Sequence, residues 1–367
     1  MPALPSRSTA PLLARVARAI LVALPLAWAG PARAQSPVPS WLTIDTTVAV
    51  DQSRGTGASA TTGVLADAYI SAAVGRGVEI YARPLLQRLP TGTWNRQLWL
   101  AAARYEHKGD LGLRLDAGLI PAPAGLANLT LRPQLNPVIS QPASLFLGLP
   151  AVEPFSPRVT LLGAFYPYGV SLTVSGSKWD ARGAVIDTSP LRSRRIIGSN
   201  TTPRFANVVI GGGVTPVIGL RIGGSVTRGG WKRPGELPIT RETLDATLIT
   251  VEADYSFRYT KVIGEWTRDA LTTTTGQSVA AGWYIQGQQV LTPRFFLAAR
   301  IERIGSPEAD PLLTPVVDAF AGTEEVLGFR LRPDLTFRVG HRARRPFGQT
   351  AYANQAAASI VWAHRWF

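Results

Sequence analysis

Arg83, Arg114, Arg182, Arg221, Arg300, Arg330, Arg338 and Arg342 each fall on the polar side of a stretch in which apolar and polar residues alternate. Asp45, Asp67, Glu79, Asp116, Asp180, Glu252 and Glu302 fall on the same side of theirs. A guanidinium stays charged at every physiological pH and offers forked donors that suit carboxylate or phosphate. Opposed cationic and acidic groups across a narrow wet space set up a transverse field that orients polar solutes and lets ions pass. The excess of arginine predicts a weak preference for anions. The same residues admit a plainer role, in which Arg and acid on adjacent strands neutralise each other and fill an interior.

Little else in the chain could carry chemistry. There is no cysteine, which excludes a disulfide scaffold, thiolate catalysis and thiolate-bound zinc. His107, His341 and His364 are not spaced as a helix or hairpin pair, so neither a metal nor a cofactor is expected. A rim hydrolase would need a histidine beside a serine or an acid. Only His341 falls toward the long loops, next to Arg342 and Arg344, which favour its neutral form. The reading is of a protein that is not an enzyme.

The elements that must position the arginines are strands. In Leu111–Leu119 one side is Leu111, Leu113, Leu115, Ala117 and Leu119, and the other is Gly112, Arg114, Asp116 and Gly118. That is a period of two, with one apolar and one polar face. Leu220–Thr227, Ser278–Gln288 and Leu327–Val339 repeat it. Tight turns are expected at Gly75-Arg76-Gly77, Lys108-Gly109-Asp110, Thr215-Pro216, Tyr255-Ser256, Thr292-Pro293 and Arg332-Pro333-Asp334. Longer loops are expected near 51–60, 88–95, 120–167, 188–204, 229–240, 270–276, 305–320 and 343–350. Short and long connections alternate, giving about 16 antiparallel strands. With the apolar faces free of charge across nearly all strands, the pattern predicts an all-β transmembrane antiparallel up-and-down β-barrel, because backbone in lipid must pair internally and leave no edge. Trp41, Trp94, Tyr105, Trp179, Tyr255, Tyr259, Trp362 and Trp366 near strand ends fit interfacial girdles.

The first 34 residues read as an export signal. Arg7, Arg15 and Arg18 precede a short apolar run, Ala19–Leu26, and Ala32-Arg33-Ala34 supplies a small-residue cleavage site. The expected mature chain, 35–367, keeps 34 basic residues against 24 acids, a net charge of +10. For an exported protein that charge points to outer-membrane lipid, lipopolysaccharide and anionic solutes, and away from nucleic acid. Arg192, Arg194 and Arg195, and the run Arg342, Arg344 and Arg345, lie in or beside loops and are candidates for lipopolysaccharide phosphates.

The chain ends on Phe367, and in this it resembles Gram-negative outer-membrane proteins, whose last strand closes on a phenylalanine that the barrel-assembly machinery recognises. Position 365 is Arg where an aromatic would strengthen the match. Residues 120–167 carry eight prolines between Pro121 and Pro157, with Arg132 and Arg158 as the bases and Glu153 as the acid. A loop of that length is usually functional. Its place as the third long loop resembles the pore-constricting loop of porins. The run Arg114–Gly125 also resembles a stretch of phosphate-selective-type porins, although no Lys-rich loop accompanies it. The resemblance implies a passive porin-like channel for small hydrophilic solutes, narrowed by 120–167, with a homotrimer as a possible assembly. The alternative is a non-conducting structural or lipid-binding outer-membrane barrel.

Overall fold

The computed structural model describes residues 41–366, apart from 57, 90, 151, 153–158, 164–165, 188, 190, 193–205, 237–238, 306 and 308–318. The export segment 1–34, Arg158, Arg194, Arg195 and Phe367 lie outside the described residues.

Alternation of side chains drives the architecture. In Phe295–Ile304 burial alternates at every residue, and Ser278–Gln286 repeats the pattern. Sixteen strands result: β1 (Leu42–Gly55), β2 (Thr61–Gly75), β3 (Val78–Arg88), β4 (Trp94–His107), β5 (Gly112–Leu119), β6 (Tyr168–Ser175), β7 (Trp179–Ile186) and β8 (Asn207–Val217) form the first half. The second half is β9 (Leu220–Lys232), β10 (Leu244–Phe257), β11 (Thr260–Thr272), β12 (Gln277–Val290), β13 (Phe295–Ile304), β14 (Phe320–Arg332), β15 (Leu335–Arg345) and β16 (Ala353–Arg365). Each strand pairs antiparallel with the next, and β1 closes on β16 from Asp45 opposite Arg365 to Gly55 opposite Gln355. The closed sheet leaves no edge. Its outer wall exposes Ile210, Ile222, Val251, Ile285, Leu297, Ile301, Leu327 and Val339 to the surroundings, the mark of a wall that faces lipid.

Two expected turns lie elsewhere. Thr215-Pro216 is inside β8, at a register shift between Val214 and Val217, where proline's missing N–H needs no ladder partner. The reversal comes at Ile218-Gly219 instead. Gly219 has φ +90, and a Cβ there would lie 2.1 Å from the Ser256 carbonyl oxygen, so only glycine fits. Tyr255-Ser256 belongs to β10, and the chain reverses at Arg258, which takes a left-handed φ of 52. The expected loop at 51–60 is also shorter, because β1 runs on to Gly55.

The described residues between 120 and 163 fold into the barrel. One residue before β5 ends at Leu119, Gly118 takes a φ of +126 as the chain turns inward; a Cβ there would meet the Ala101 carbonyl oxygen at 2.5 Å. The loop contains a 3-10 turn, Ala127–Leu131, and one helical turn, Ala143–Phe146. Ile120, Ala127, Leu131, Leu145 and Leu162 pack with Tyr81, Ile186, Val209, Leu248 and Ile263 of the inner wall. Leu149, Val159 and Leu161 join Trp231, Leu271, Ile304 and Phe320, and Val138 and Ile139 join Phe296 and Val326. The inside of this barrel therefore holds a close-packed apolar core wherever the loop touches it.

Candidate functional site

The lumen has two unlike sides. On β11 to β15 the wall grips the loop through its backbone. The Glu324 carboxylate accepts the N–H groups of Ile139 at 3.1 Å and Ser140 at 3.0 Å, and also binds the Ser140 hydroxyl. Arg300 reaches the same place, donating to the Ser140 carbonyl at 2.9 Å and the Gln141 carbonyl at 3.0 Å while pairing with Glu324 at 3.2 Å. Arg342 holds the other oxygen of Glu324 at 3.1 Å. Glu302 accepts the Ala143 N–H at 2.8 Å, and Glu265 accepts those of Leu126 and Ala127. Arg338 donates to the carbonyls of Asn136 at 2.6 Å and Val138 at 2.8 Å, and to the Ser359 hydroxyl.

The chain's exit from the lumen is tied on β2 and β3. Arg83 pairs with Asp67 and donates to the Tyr166 hydroxyl at 2.9 Å. Its guanidinium lies 5.0 Å from the Trp99 ring. Burial pushes the Tyr166 phenol above its ordinary pKa, so it stays neutral here. Arg132, over the Tyr69 ring at 5.5 Å, is pushed below its usual value by burial and by the charge of Arg83.

On β5 to β10 the wall instead borders an open cavity of about 330 Å³, roofed by Ile120–Pro123 and Leu126. Its polar lining lies within a few residues of the short turns, so it forms a vestibule at that end. Arg221 makes a forked contact with Asp180 at 2.8 and 2.9 Å and reaches Glu252 at 2.6 Å. Arg182 also meets Glu252, at 3.3 Å. Asp116 is shared: Arg104 at 2.8 Å, Arg114 at 3.0 Å and the Tyr81 hydroxyl at 2.9 Å all bind it. The Arg114 side chain is 45% exposed, against 1% for Arg83 and Arg300. A smaller cavity of about 170 Å³ lies across the loop, where Arg330 stacks over Phe296 at 4.9 Å.

All eight arginines read from the sequence, with Asp116, point into the barrel, but they are not brought together. Arg114, Asp116, Arg182 and Arg221 share the larger cavity, Arg330 and Arg338 border the smaller one, and Arg83, Arg300 and Arg342 are enclosed. Sequence reasoning missed Glu265 and Glu324, the chief loop anchors, although both fall at inward positions of their strands. It also missed Arg104. A bulge between Arg83 and Pro84 turns both Trp99 and Leu100 inward, so residues before it in β4 follow the opposite parity.

His341 points outward, away from Arg342 and Arg344, because neighbours on a strand face opposite sides. Its Nδ1 lies 3.2 Å from Glu325 and its Nε2 3.1 Å from the Asn354 Oδ1, where a hydrolase would place a hydroxyl. Among the described residues no group of acids and histidines could hold a metal ion.

A closed sixteen-strand barrel with an in-folded third long loop is a porin fold. No protein-family profile matches the sequence, and no curated protein matches it. Among solved structures the chain resembles OmpF of Salmonella typhi in complex with daunomycin, at 9% identity and a TM-score of 0.58, over 88% of this chain and 97% of that one. It also resembles an anion-selective porin from Comamonas acidovorans, at 9% identity and a TM-score of 0.57, over 89% and 99%. OmpT of Vibrio cholerae in its trimer form matches at 9% identity and a TM-score of 0.54, over 88% and 99%. At such identities the likeness concerns the fold.

Proposed function

We propose that the protein is a passive outer-membrane channel for small hydrophilic solutes, narrowed by residues 120–167 and weakly anion-preferring. The observation that carries the reading is the open, mixed-charge vestibule beneath a loop pinned inside a closed barrel. Arg114, Arg182 and Arg221, with Asp116, meet the solute there, and Arg330 meets it in the smaller cavity. Arg83, Arg300, Arg338 and Arg342 hold the loop and act on permeation through its position. Weak anion preference follows from Arg114, half-exposed and sharing one carboxylate with Arg104. The preference is small because Asp116, Asp180, Glu252 and Asp254 line the same cavity as Arg114, Arg182 and Arg221, so the cationic excess comes from the exposure of Arg114 and from Arg330 and Arg338 in the smaller cavity.

Membrane lipid, lipopolysaccharide and the barrel-assembly machinery, through Phe367, are the partners this reading implies, with a homotrimer as the assembly. Purified protein in a planar bilayer is expected to give discrete conductance steps, and a salt gradient a small reversal potential on the anion side. Absence of ion flux at any voltage overturns the channel; reversal on the cation side overturns only the preference. The second reading, a non-conducting structural or lipid-binding barrel, is favoured by the tightness of the loop, since Ile120, Leu131, Val138, Leu145 and Leu161 are all buried. The same recording separates the two.

A further inference from the structure

The outer wall carries a groove of about 840 Å³ across β16, β1, β2, β3 and β4. Its floor is made of small outward side chains, Thr46, Ala66, Ala68 and Pro84, and its banks of larger ones. One register row runs along it without a break: Trp362 opposite Val48, Val48 opposite Ala66, Ala66 opposite Leu86, and Leu86 opposite Arg96. Trp362 lies near the short-turn end of β16, whereas Arg96 is the third residue of β4 after a long loop. The row thus runs obliquely, its β16 end toward the short turns and its β4 end toward the long loops. Four strand spacings of ~4.8 Å make it about 19 Å long, more than the ~15 Å half-thickness of a bilayer's hydrocarbon.

Cationic side chains stand at the long-loop end, whereas at the short-turn end the Asp334 carboxylate accepts from the Trp362 indole at 3.1 Å. Arg96, which lines the groove, and Arg88, opposite Trp94 and diagonal to Arg96, lie on the outer face, and no ion pair is formed by either among the described residues. The other end is aromatic, with His364 stacked on Trp362 at 5.8 Å and packed against Trp366 at 4.7 Å. A second copy of the chain offers few acids on its own wall to neutralise the arginines. Among the described strand residues the outward acids are Asp245 and Glu325, and Glu325 is held by His341.

We propose that this groove binds a lipid bearing phosphate, the lipid A part of lipopolysaccharide, with its phosphates on Arg88 and Arg96 and an acyl chain lying along Ala66 and Ala68 toward Trp362. Forked guanidinium donors match phosphate oxygens, and a trough of small side chains admits a chain that a row of leucines would exclude. The proposal rests on the lipopolysaccharide partnership given above and assigns it a place on the wall.

The test is native mass spectrometry of the detergent-purified barrel titrated with lipid A. The wild type is expected to retain one lipid A per chain. Retention should fall at least tenfold both in the Arg88→Gln, Arg96→Gln double variant and in Ala68→Leu, which fills the trough without changing charge. Arg228→Gln, an outward arginine on β9 away from the groove, should bind as the wild type does. Heat-modified gel migration checks that each variant is folded. Wild-type retention by both groove variants places the lipid elsewhere and overturns the site while leaving the partnership. No retention by the wild type overturns both. Displacement by millimolar inorganic phosphate alone, or cross-linking of Ala68→Cys between two chains with lipid excluded, also overturns it.

Discussion

The two sides of the lumen use one residue type for opposite ends. On β13 to β15, Arg300, Arg338 and Arg342 are buried against loop carbonyls and Glu324. On β5 to β9, Arg114, Arg182 and Arg221 face carboxylates around an open cavity. The alternation that turns an arginine inward is the same in both. What differs is whether the loop lies above it. An inward guanidinium covered by peptide carbonyls becomes a clamp; one left uncovered stays available to solute.

The largest test of that contrast is to remove the clamp. Glu324→Gln leaves Arg300 and Arg342 buried with one partner neutralised, and breaking a buried pair typically costs about 3–5 kcal/mol. The expected outcome is a lower unfolding temperature together with a larger, noisier unit conductance as residues 136–143 come loose. Unchanged conductance would mean that the loop does not set the bore. Leu145→Ala, in the apolar core beneath the loop, should cost about 2–5 kcal/mol, measured by thermal unfolding in detergent, with a smaller rise in conductance. On the open side, Arg221→Gln frees Asp180 and Glu252 and should move the reversal potential toward the cation side by more than Arg182→Gln does. Arg114→Gln is the mildest change. At a half-exposed position its effect on stability should stay within about 0.5 kcal/mol, while anion preference declines. If Arg300→Gln shifts the reversal potential more than Arg114→Gln while the loop stays in place, the division between the two sides is wrong.

The wall was readable residue by residue. A period of two and a strict alternation of short and long connections lead directly to sixteen strands, and β12, β13 and β14, with β5 as far as Ala117, keep the faces that their sequences imply, while Leu119 at the end of β5 is buried. Errors arose where backbone rather than side chain decides: Arg258 reverses the chain without a glycine, Pro216 sits inside a strand, and Trp99 adds one residue to β4. The site was less legible. Parity shows that Arg338 and Arg221 both point inward, but not which will meet the loop, because that depends on contacts spanning about half the chain. One signal was present. The inward positions of Ala246, Leu248, Leu271, Ala280 and Ile304 are apolar, which an empty water-filled bore would not need, and they mark the surface on which the loop lies.

The bonds between Ser140 and Glu324 join residues 184 apart in sequence. Every strand that holds the middle of the loop is therefore made long after the loop itself, and long-range contacts of this kind form late because closing so large a ring is entropically slow. The first strands offer the segment only part of its seat, at Tyr81 and Arg83, and the clamps at its middle come from strands that follow it by more than a hundred residues. The strands that hold residues 136–143, β13 to β15, come last before β16 meets β1, so in chain order the stopper's moorings and the cylinder's closure are next to each other.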